Sequence, residues 1–309
     1  MSQLNISSSP HIRHGNSTRR IMLDVIIALA PAALCSIFIF GSRSLLVMGL
    51  SVLTAVACEA LCLKVMKRRN TVNDLSAVVT GLLYALVLPV GAPVYVVILG
   101  SAFAIIIAKQ CFGGLGANIL NPALAGRAFM FLSFAGVFSS IQYNQPLADA
   151  VTGATPLDIG YQPGEMSLWE LILGNYGGAL GETCKWAILL GLLYLLLRRV
   201  ISWRIPAVML AAAALTSLIL GRECGVAADL LSGGLLFGAV FMATDYATSP
   251  ITPLGQIIYA AGCGVLTILI RQFAAWPEGT MFAILLMNLV TPLIDKYIKP
   301  RVFGEVKSK

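Results

Sequence analysis

From Ile21 to Asp295 the chain alternates between long apolar runs and short polar breaks. Apolar runs occupy 21–40, 45–65, 75–89, 94–108 and 122–138, then 182–197, 205–221, 228–244, 254–270 and 279–295. A helix needs about 20 apolar residues to cross a hydrocarbon core of about 30 Å, so the shorter runs fix their ends only to within a few residues. The pattern predicts an all-α, polytopic membrane protein with about ten transmembrane helices. The first run is too long for a cleaved signal peptide and carries Asp24, so it is expected to remain as the first helix. Residues 1–20 are expected to form a polar tail, 21–295 the transmembrane domain, and 296–309 a basic tail.

The pattern also repeats. Gly81-Leu-Leu-Tyr-Ala-Leu-Val in the third run matches Gly234-Leu-Leu-Phe-Gly-Ala-Val in the eighth. Ile107-Ala-Lys109-Gln110 ends the fourth run as Leu269-Ile-Arg271-Gln272 ends the ninth. Asn118-Ile-Leu-Asn121-Pro122 enters the fifth, and Asn288-Leu-Val-Thr291-Pro292 stands in the tenth. The matches come in the same order. Five helices per half place the second half upside down in the bilayer, with repeat one at about 21–138, a polar loop at about 139–181, and repeat two at about 182–295. Inverted repeats hold ligand and ion sites near their interface, often at broken helices.

Composition narrows the choice. The chain is 58% hydrophobic and 11% charged, against about 25% charged in soluble domains, which leaves no large water-facing domain. The net charge of +7 does not point to nucleic acid, because the basic residues sit at the ends of apolar runs. Of the 21 Lys and Arg, only Arg43, Lys185, Arg222 and Arg271 fall at ends on the second side. Cations collect on the cytoplasmic side of membrane helices, so both termini are expected in the cytoplasm and the 139–181 loop on the outer face. The seven cysteines lie mostly inside apolar runs and form no CxxC pair. They read as small core residues, with Cys111 the best candidate for a ligand role. No metal site and no catalytic residue are expected.

Three stretches carry candidate chemistry. Asp149-Ala-Val-Thr152-Gly153-Ala154-Thr155-Pro156-Leu157 lies in the longest polar break. It reads either as a Thr/Gly/Pro turn or as a segment that an enzyme grips in extended form to esterify the Thr155 hydroxyl, with Pro156 favouring the extended backbone. The glycine-rich stretch from Gly113 to Pro122 is either a tight connection or the wall of a flavin or ion pocket. In the second case Asn118 and Asn121 present their amides from one helix face, with helix-start N–H groups beside them. Arg127 then either snorkels to the inner surface or holds a phosphate or a carboxylate. The hydroxyl-rich segment Phe241 to Pro250 either binds an ion, closes the flavin pocket, or satisfies free backbone groups at a helix end.

Ionisable groups inside membrane helices are expensive and mark function. Glu59 lies well inside the second run, just before Lys64, and reads either as a carboxylate on an ion path or as one neutralised from the Lys64 side. Asp295 closes the tenth run. Glu182, Asp245 and Glu278 read as solvated helix ends.

Together these residues resemble the D subunits of Rnf-type ion-translocating electron transport complexes, and their relative, the B subunit of the sodium-translocating NADH:quinone oxidoreductase. The resemblance is carried by Phe112-Gly-Gly-Leu-Gly-Ala-Asn118-Ile-Leu-Asn121-Pro122-Ala-Leu-Ala-Gly-Arg127-Ala-Phe129, by Asp149-x-x-Thr152-Gly-Ala-Thr155-Pro-Leu, by Phe241-Met-Ala-Thr-Asp245-Tyr-Ala-Thr-Ser-Pro250, and by Glu278-Gly-Thr-Met-Phe-Ala-Ile-Leu-Leu-Met-Asn288. It implies FMN joined through its phosphate to Thr155 by a flavin transferase that recognises Asp149, Thr152, Gly153 and Ala154. It implies a riboflavin near Asn118, Asn121 and Arg127, and Glu59 and Asp295 as acids on a path for Na+ or H+. Expected partners are the other subunits of the complex, among them a second covalent-flavin subunit, and membrane lipid. The expected location is a bacterial or archaeal plasma membrane. The short N-terminal tail favours the Rnf side of the family, while Tyr246-Ala247 stands where Pro-Val is usual. Two readings from other classes remain: a channel-like facilitator of a small neutral solute on the same inverted repeat, and a scaffold for partner subunits.

Overall fold

The computed structural model describes residues 17–68, 71–140, 172–174, 177–222, 225–274 and 279–299. The candidate attachment segment with Asp149, Thr152, Gly153, Ala154 and Thr155 lies outside the described residues, as does Glu278. The helices are α1 (Thr18–Phe40), α2 (Ser42–Val65), α3 (Ser76–Leu86), α4 (Val94–Ile105), α5 (Pro122–Ser133) and α6 (Ala135–Ser140). They continue as α7 (Lys185–Leu197), α8 (Arg204–Leu220), α9 (Val226–Leu231), α10 (Leu235–Phe237), α11 (Pro253–Phe273) and α12 (Thr280–Tyr297). Wide π-turns extend α4 through Ile106–Gln110 and α10 through Gly238–Met242.

Local chemistry sets the ends. Ser17 accepts the Arg20 N–H and starts α1, and Gly41 at φ 74° separates α1 from α2. Thr252 accepts the Gly255 N–H, with Pro253 opening α11; proline fits there because a first-turn N–H has no helical partner anyway. Helices α1, α2, α11 and α12 are long and apolar enough to cross a membrane. The described residues form an all-helical structure, and the chain is a polytopic membrane protein.

The helices choose the same kinds of partner in both halves of the chain. α2 packs on α3 and α4, and α4 on α5; α8 packs on α9 and α11, and α11 on α12. α1 lies against α7 and α5 against α12, which joins the halves. Close crossings use glycine: a Cβ on Gly126 of α5 would stand 2.6 Å from the Gly100 carbonyl of α4.

Two apolar runs are interrupted where continuous helices are expected, and a third ends a few residues early. The third run stops at Leu86 rather than 89, because Pro89 and Pro93 cannot continue a helix. The chain leaving α3 bonds to the segment before α7 instead: the Leu180 N–H donates to the Leu88 carbonyl at 3.0 Å, and the Gly181 N–H to the Leu86 carbonyl at 2.6 Å. The eighth run breaks at residues 232–234, where Gly233 takes φ 61°. The fifth run breaks at Phe134, between α5 and α6. Irregular backbone survives at membrane depth only where protein covers it and its polar groups are met. Here the two breaks beside α3 and α10 are covered: Gly181 packs against Leu86 and Phe237, and Gly234 lies beside Glu182.

Candidate functional site

Glu59, deep in α2, pairs with a residue 50 positions away. The Lys109 Nζ donates to Glu59 Oε2 at 2.9 Å, to Glu59 Oε1 at 3.1 Å and to Ser76 Oγ at 2.7 Å. Gln110 Nε2 adds a bond to Glu59 Oε1 at 3.1 Å. All four side chains are buried. Of the two readings open for Glu59, neutralisation from the Lys64 side is replaced by neutralisation from α4. Two carboxylate oxygens and a hydroxyl meet all three ammonium donors, which is what allows an ion pair to persist away from water.

Ser76 and Lys109 form one wall of a chamber of about 80 Å³. Asn118, Asn121, Thr244 and Asp245 supply polar groups to it, and Val79, Leu83 and Phe241 apolar ones. Met22, Leu115, Asp245 and Tyr246 also line a wider cleft of about 580 Å³, which reaches Thr291 and Asp295. Asp295 Oδ1 accepts the Ile251 N–H at 3.2 Å. Asp245 thus lines both spaces, with Lys109 on the chamber side and Asp295 on the cleft side, and Glu59 meets Lys109.

Asn118 and Asn121 share the chamber, but not from one helix face. α5 begins at Pro122, so both precede it. Asn121 is its N-cap: Oδ1 accepts the Ala123 N–H at 3.1 Å and the Leu124 N–H at 3.4 Å, while Nδ2 donates to the Met242 carbonyl at 3.3 Å. Asn118 Nδ2 donates to the Leu120 carbonyl at 3.2 Å. With its amide turned to suit its neighbours, Asn288 of α12 accepts the Asn121 N–H at 3.2 Å and donates to the Tyr259 hydroxyl at 2.7 Å. Asn121→Ala is expected to lower stability by about 1–2 kcal/mol, because an N-cap is lost along with the link to Met242. Asn121→Asp, which keeps the capping oxygen, is expected to lose less. Thermal unfolding in detergent measures both, and equal midpoints for the two variants would contradict the capping role.

Arg127, Glu182 and Lys185 turn out to be buried. Arg127 is 3% exposed, so it does not snorkel. Glu182 is buried and accepts the Ala179 N–H at 2.8 Å. Lys185 is buried too, donating to the Glu182 carbonyl and to the Gly233 carbonyl. Asp245 lies half-buried in the loop after α10. Desolvation raises its pKa, opposed by the Thr248 hydroxyl, the Ala247 N–H and the Asn118 amide.

A second buried cluster escaped sequence reasoning. Asp229, at 0% exposure, meets Ser217 Oγ at 2.6 Å, Arg222 Nε at 3.0 Å and Arg271 Nη1 at 3.8 Å. Arg271 also donates to the carbonyls of Asp229 and Ser232 at 2.6 and 3.1 Å. The signal was available in the repeat. The match of Gly81 to Gly234 carries Ser76 onto Asp229, and Lys109 already matched Arg271. The matched positions thus hold an acid, a serine and a cation in each half, with the acid and the serine exchanged between the second and third helices, and Arg222 adds a further cation in the second half.

The profile of the NQR2, RnfD, RnfE family matches residues 5–304. The chain is 48% identical over 317 residues to the D subunit of the Na(+)-translocating ferredoxin:NAD(+) oxidoreductase complex of Acetobacterium woodii, covering 100% of this chain and 98% of that one. It is 42% identical to the D subunit of the proton-translocating ferredoxin:NAD(+) oxidoreductase complex of Clostridium ljungdahlii, covering 97% and 96%. Against the D subunit of the ion-translocating oxidoreductase complex of Stutzerimonas stutzeri identity is 39%, covering 94% and 93%. This chain belongs to the NQR2, RnfD, RnfE family.

Proposed function

We propose that this chain is the D-type membrane subunit of an ion-translocating ferredoxin:NAD-type oxidoreductase complex, and that it relays electrons through FMN held covalently at Thr155. It works as one subunit of that translocase and is not active alone. The observation that carries the reading is the run Asp149-Ala-Val-Thr152-Gly153-Ala154-Thr155-Pro156-Leu157, in a chain similar over its whole length to D subunits of such complexes. A solute channel has no use for that segment. A flavin transferase would direct the Thr155 oxygen to the flavin-side phosphorus of FAD. The new P–O bond forms as the bond to AMP breaks, AMP leaves, and the hydroxyl proton passes to the medium.

A second flavin ring, such as riboflavin, would sit at the mouth of the Asn118 chamber, where the adjoining cleft adds space. Amide and hydroxyl groups match its polar edge, and Val79, Leu83 and Phe241 match its faces. Small-molecule pockets run to about 300–1,000 Å³; the chamber alone is too small, but the adjoining cleft brings the space into that range. A bound flavin supplies reversible electron storage. The chain's own part is to hold it beside Asn118 on the cleft side and to exclude water. Glu59 and Asp295 serve an ion path. The cation bias favours both termini in the cytoplasm and the Thr155 loop outside. Other subunits, one with its own covalent flavin, and lipid complete the surroundings.

The test is flavin fluorescence in a denaturing gel, with the chain expressed alongside its flavin transferase. A fluorescent band near 32.8 kDa is expected, and Thr155→Ala should abolish it. A dark wild-type band would end the covalent-flavin reading and direct attention to solute flux.

A further inference from the structure

We propose that Lys109 is a tethered cation occupying the seat of a transported monovalent cation, and that Glu59, Ser76 and Gln110 are the oxygen cage of that seat. The proposal deepens the reading of Glu59 as part of the ion path and rests on it.

The first argument is the ligand set. The ammonium is held by three oxygens, two from Glu59 and one from Ser76. Gln110 donates to Glu59 through Nε2, and its buried Oε1 accepts no hydrogen bond among the described residues. A buried amide oxygen without a donor normally costs stability. Carboxylate, hydroxyl and amide oxygens are the ligands a hard cation takes. Sodium and ammonium carry the same charge, so exchanging them never leaves Glu59 buried and uncompensated.

The second argument is backbone geometry. Lys109 and Gln110 are adjacent in sequence, yet both reach Glu59. The π-turn over Ile106–Gln110, closed by the Cys111 N–H on the Ile106 carbonyl at 3.0 Å, makes room for this. Such turns are rare and favour functional sites. The third argument is the exit. Ser76 and Lys109 line the chamber whereas Glu59 and Gln110 lie behind them, and the chamber wall also carries Asp245, a carboxylate for the displaced ammonium.

The second half of the chain supplies the contrast. Arg271, matched to Lys109, is pinned to two carbonyls, and Arg222 adds a second guanidinium at Asp229. A forked, permanently charged guanidinium held in this way does not vacate its place, whereas a lysine on a flexible stem does. Exchange therefore belongs to the Lys109 half, and the Asp229 cluster is the locked version of the same arrangement.

The experiment uses the purified whole complex in sodium chloride or choline chloride at equal ionic strength. Lys109→Met should make thermal unfolding sodium-dependent, the midpoint rising by several degrees in sodium, because only that salt refills the cage. The wild type and the Lys109→Met, Glu59→Gln double variant should show no such rise. Equal midpoints for Lys109→Met in the two salts, or a rise that persists in the double variant, would overturn the proposal. Should Lys109→Met fail to assemble, Lys109→Arg decides the matter by importing the locked cation. Sodium taken up per NAD+ reduced should fall about tenfold or more, since a guanidinium forks across the carboxylate and stays. Wild-type uptake per NAD+ in Lys109→Arg would overturn the proposal. Undiminished uptake in Glu59→Gln would instead remove Glu59 from the ion path, which is a failure of the underlying reading.

Discussion

Asp229→Ala is expected to leave little folded subunit in solubilised membranes. The carboxylate is fully buried and holds Ser217, Arg222 and Arg271 together. Without it, the Arg271 guanidinium remains in the protein interior and the partly buried Arg222 beside it, with their shared anion gone. Breaking a buried pair by removing one partner costs about 3–5 kcal/mol, a large part of the roughly 5–15 kcal/mol that holds a domain together. Asp229→Asn keeps the shape and a partner for the Ser217 hydroxyl, so it should be hurt less. Asp24 offers a control. It also meets an arginine, Arg198, but that side chain is 40% exposed. Once Asp24→Asn frees it, the Arg198 head can take its partners from water, and the loss should be much smaller. Size-exclusion profiles and thermal unfolding of the three variants give the order directly. If Asp229→Ala melts with the wild type, the cluster carries no structural weight.

Much of this fold was legible because lipid imposes a one-dimensional rule: long apolar runs become helices and charges collect at their ends. Runs one, two, nine and ten emerged as the long helices α1, α2, α11 and α12. The same rule misled at Lys109, Arg271 and Lys185. A cation that ends an apolar run reads as a surface charge, and its partner acid lies 50 residues away for Lys109 and 42 for Arg271. Glu59 was visible as an ionisable group out of place, but local sequence offered only Lys64 as a partner. Asp229 stands near the start of an apolar run and looks like an ordinary first-turn acid. The break after α9 was hard to read for another reason. Its carbonyls are met by Lys185 and Arg271 from other helices, which hydropathy does not encode. Asn118 and Asn121 do share a chamber, yet a common helix face is not what brings them together. Pro122 fixes the helix start one residue after Asn121, so the amides converge from a loop.

Gly264→Val should be as damaging as Asp229→Ala, by a different route. Gly264 lies where α11 crosses α8, and a side chain there would strike the Met209 carbonyl and stand 2.9 Å from both the Ala212 Cβ and the Ala213 N. Two of those three atoms are backbone, so no rotamer change relieves the overlap and the helices must separate. Overpacking a tight core costs about 1–3 kcal/mol and occasionally more, and valine adds two methyl groups to the Cβ that already collides. The separation also reaches the buried charges, because α8 carries Ser217 and α11 carries Arg271, the two elements that close on Asp229. Gly262, two residues earlier on the same helix, tests the explanation. A Cβ there meets only the thioether end of Met287, with Cε and Sδ each at 2.6 Å, and methionine is flexible enough to move aside. Gly262→Ala should therefore unfold close to the wild type, while Gly264→Ala is already destabilised and Gly264→Val severely so. Equal losses at positions 262 and 264 would mean that general crowding, and not backbone contact at the crossing, sets the spacing of α8 and α11.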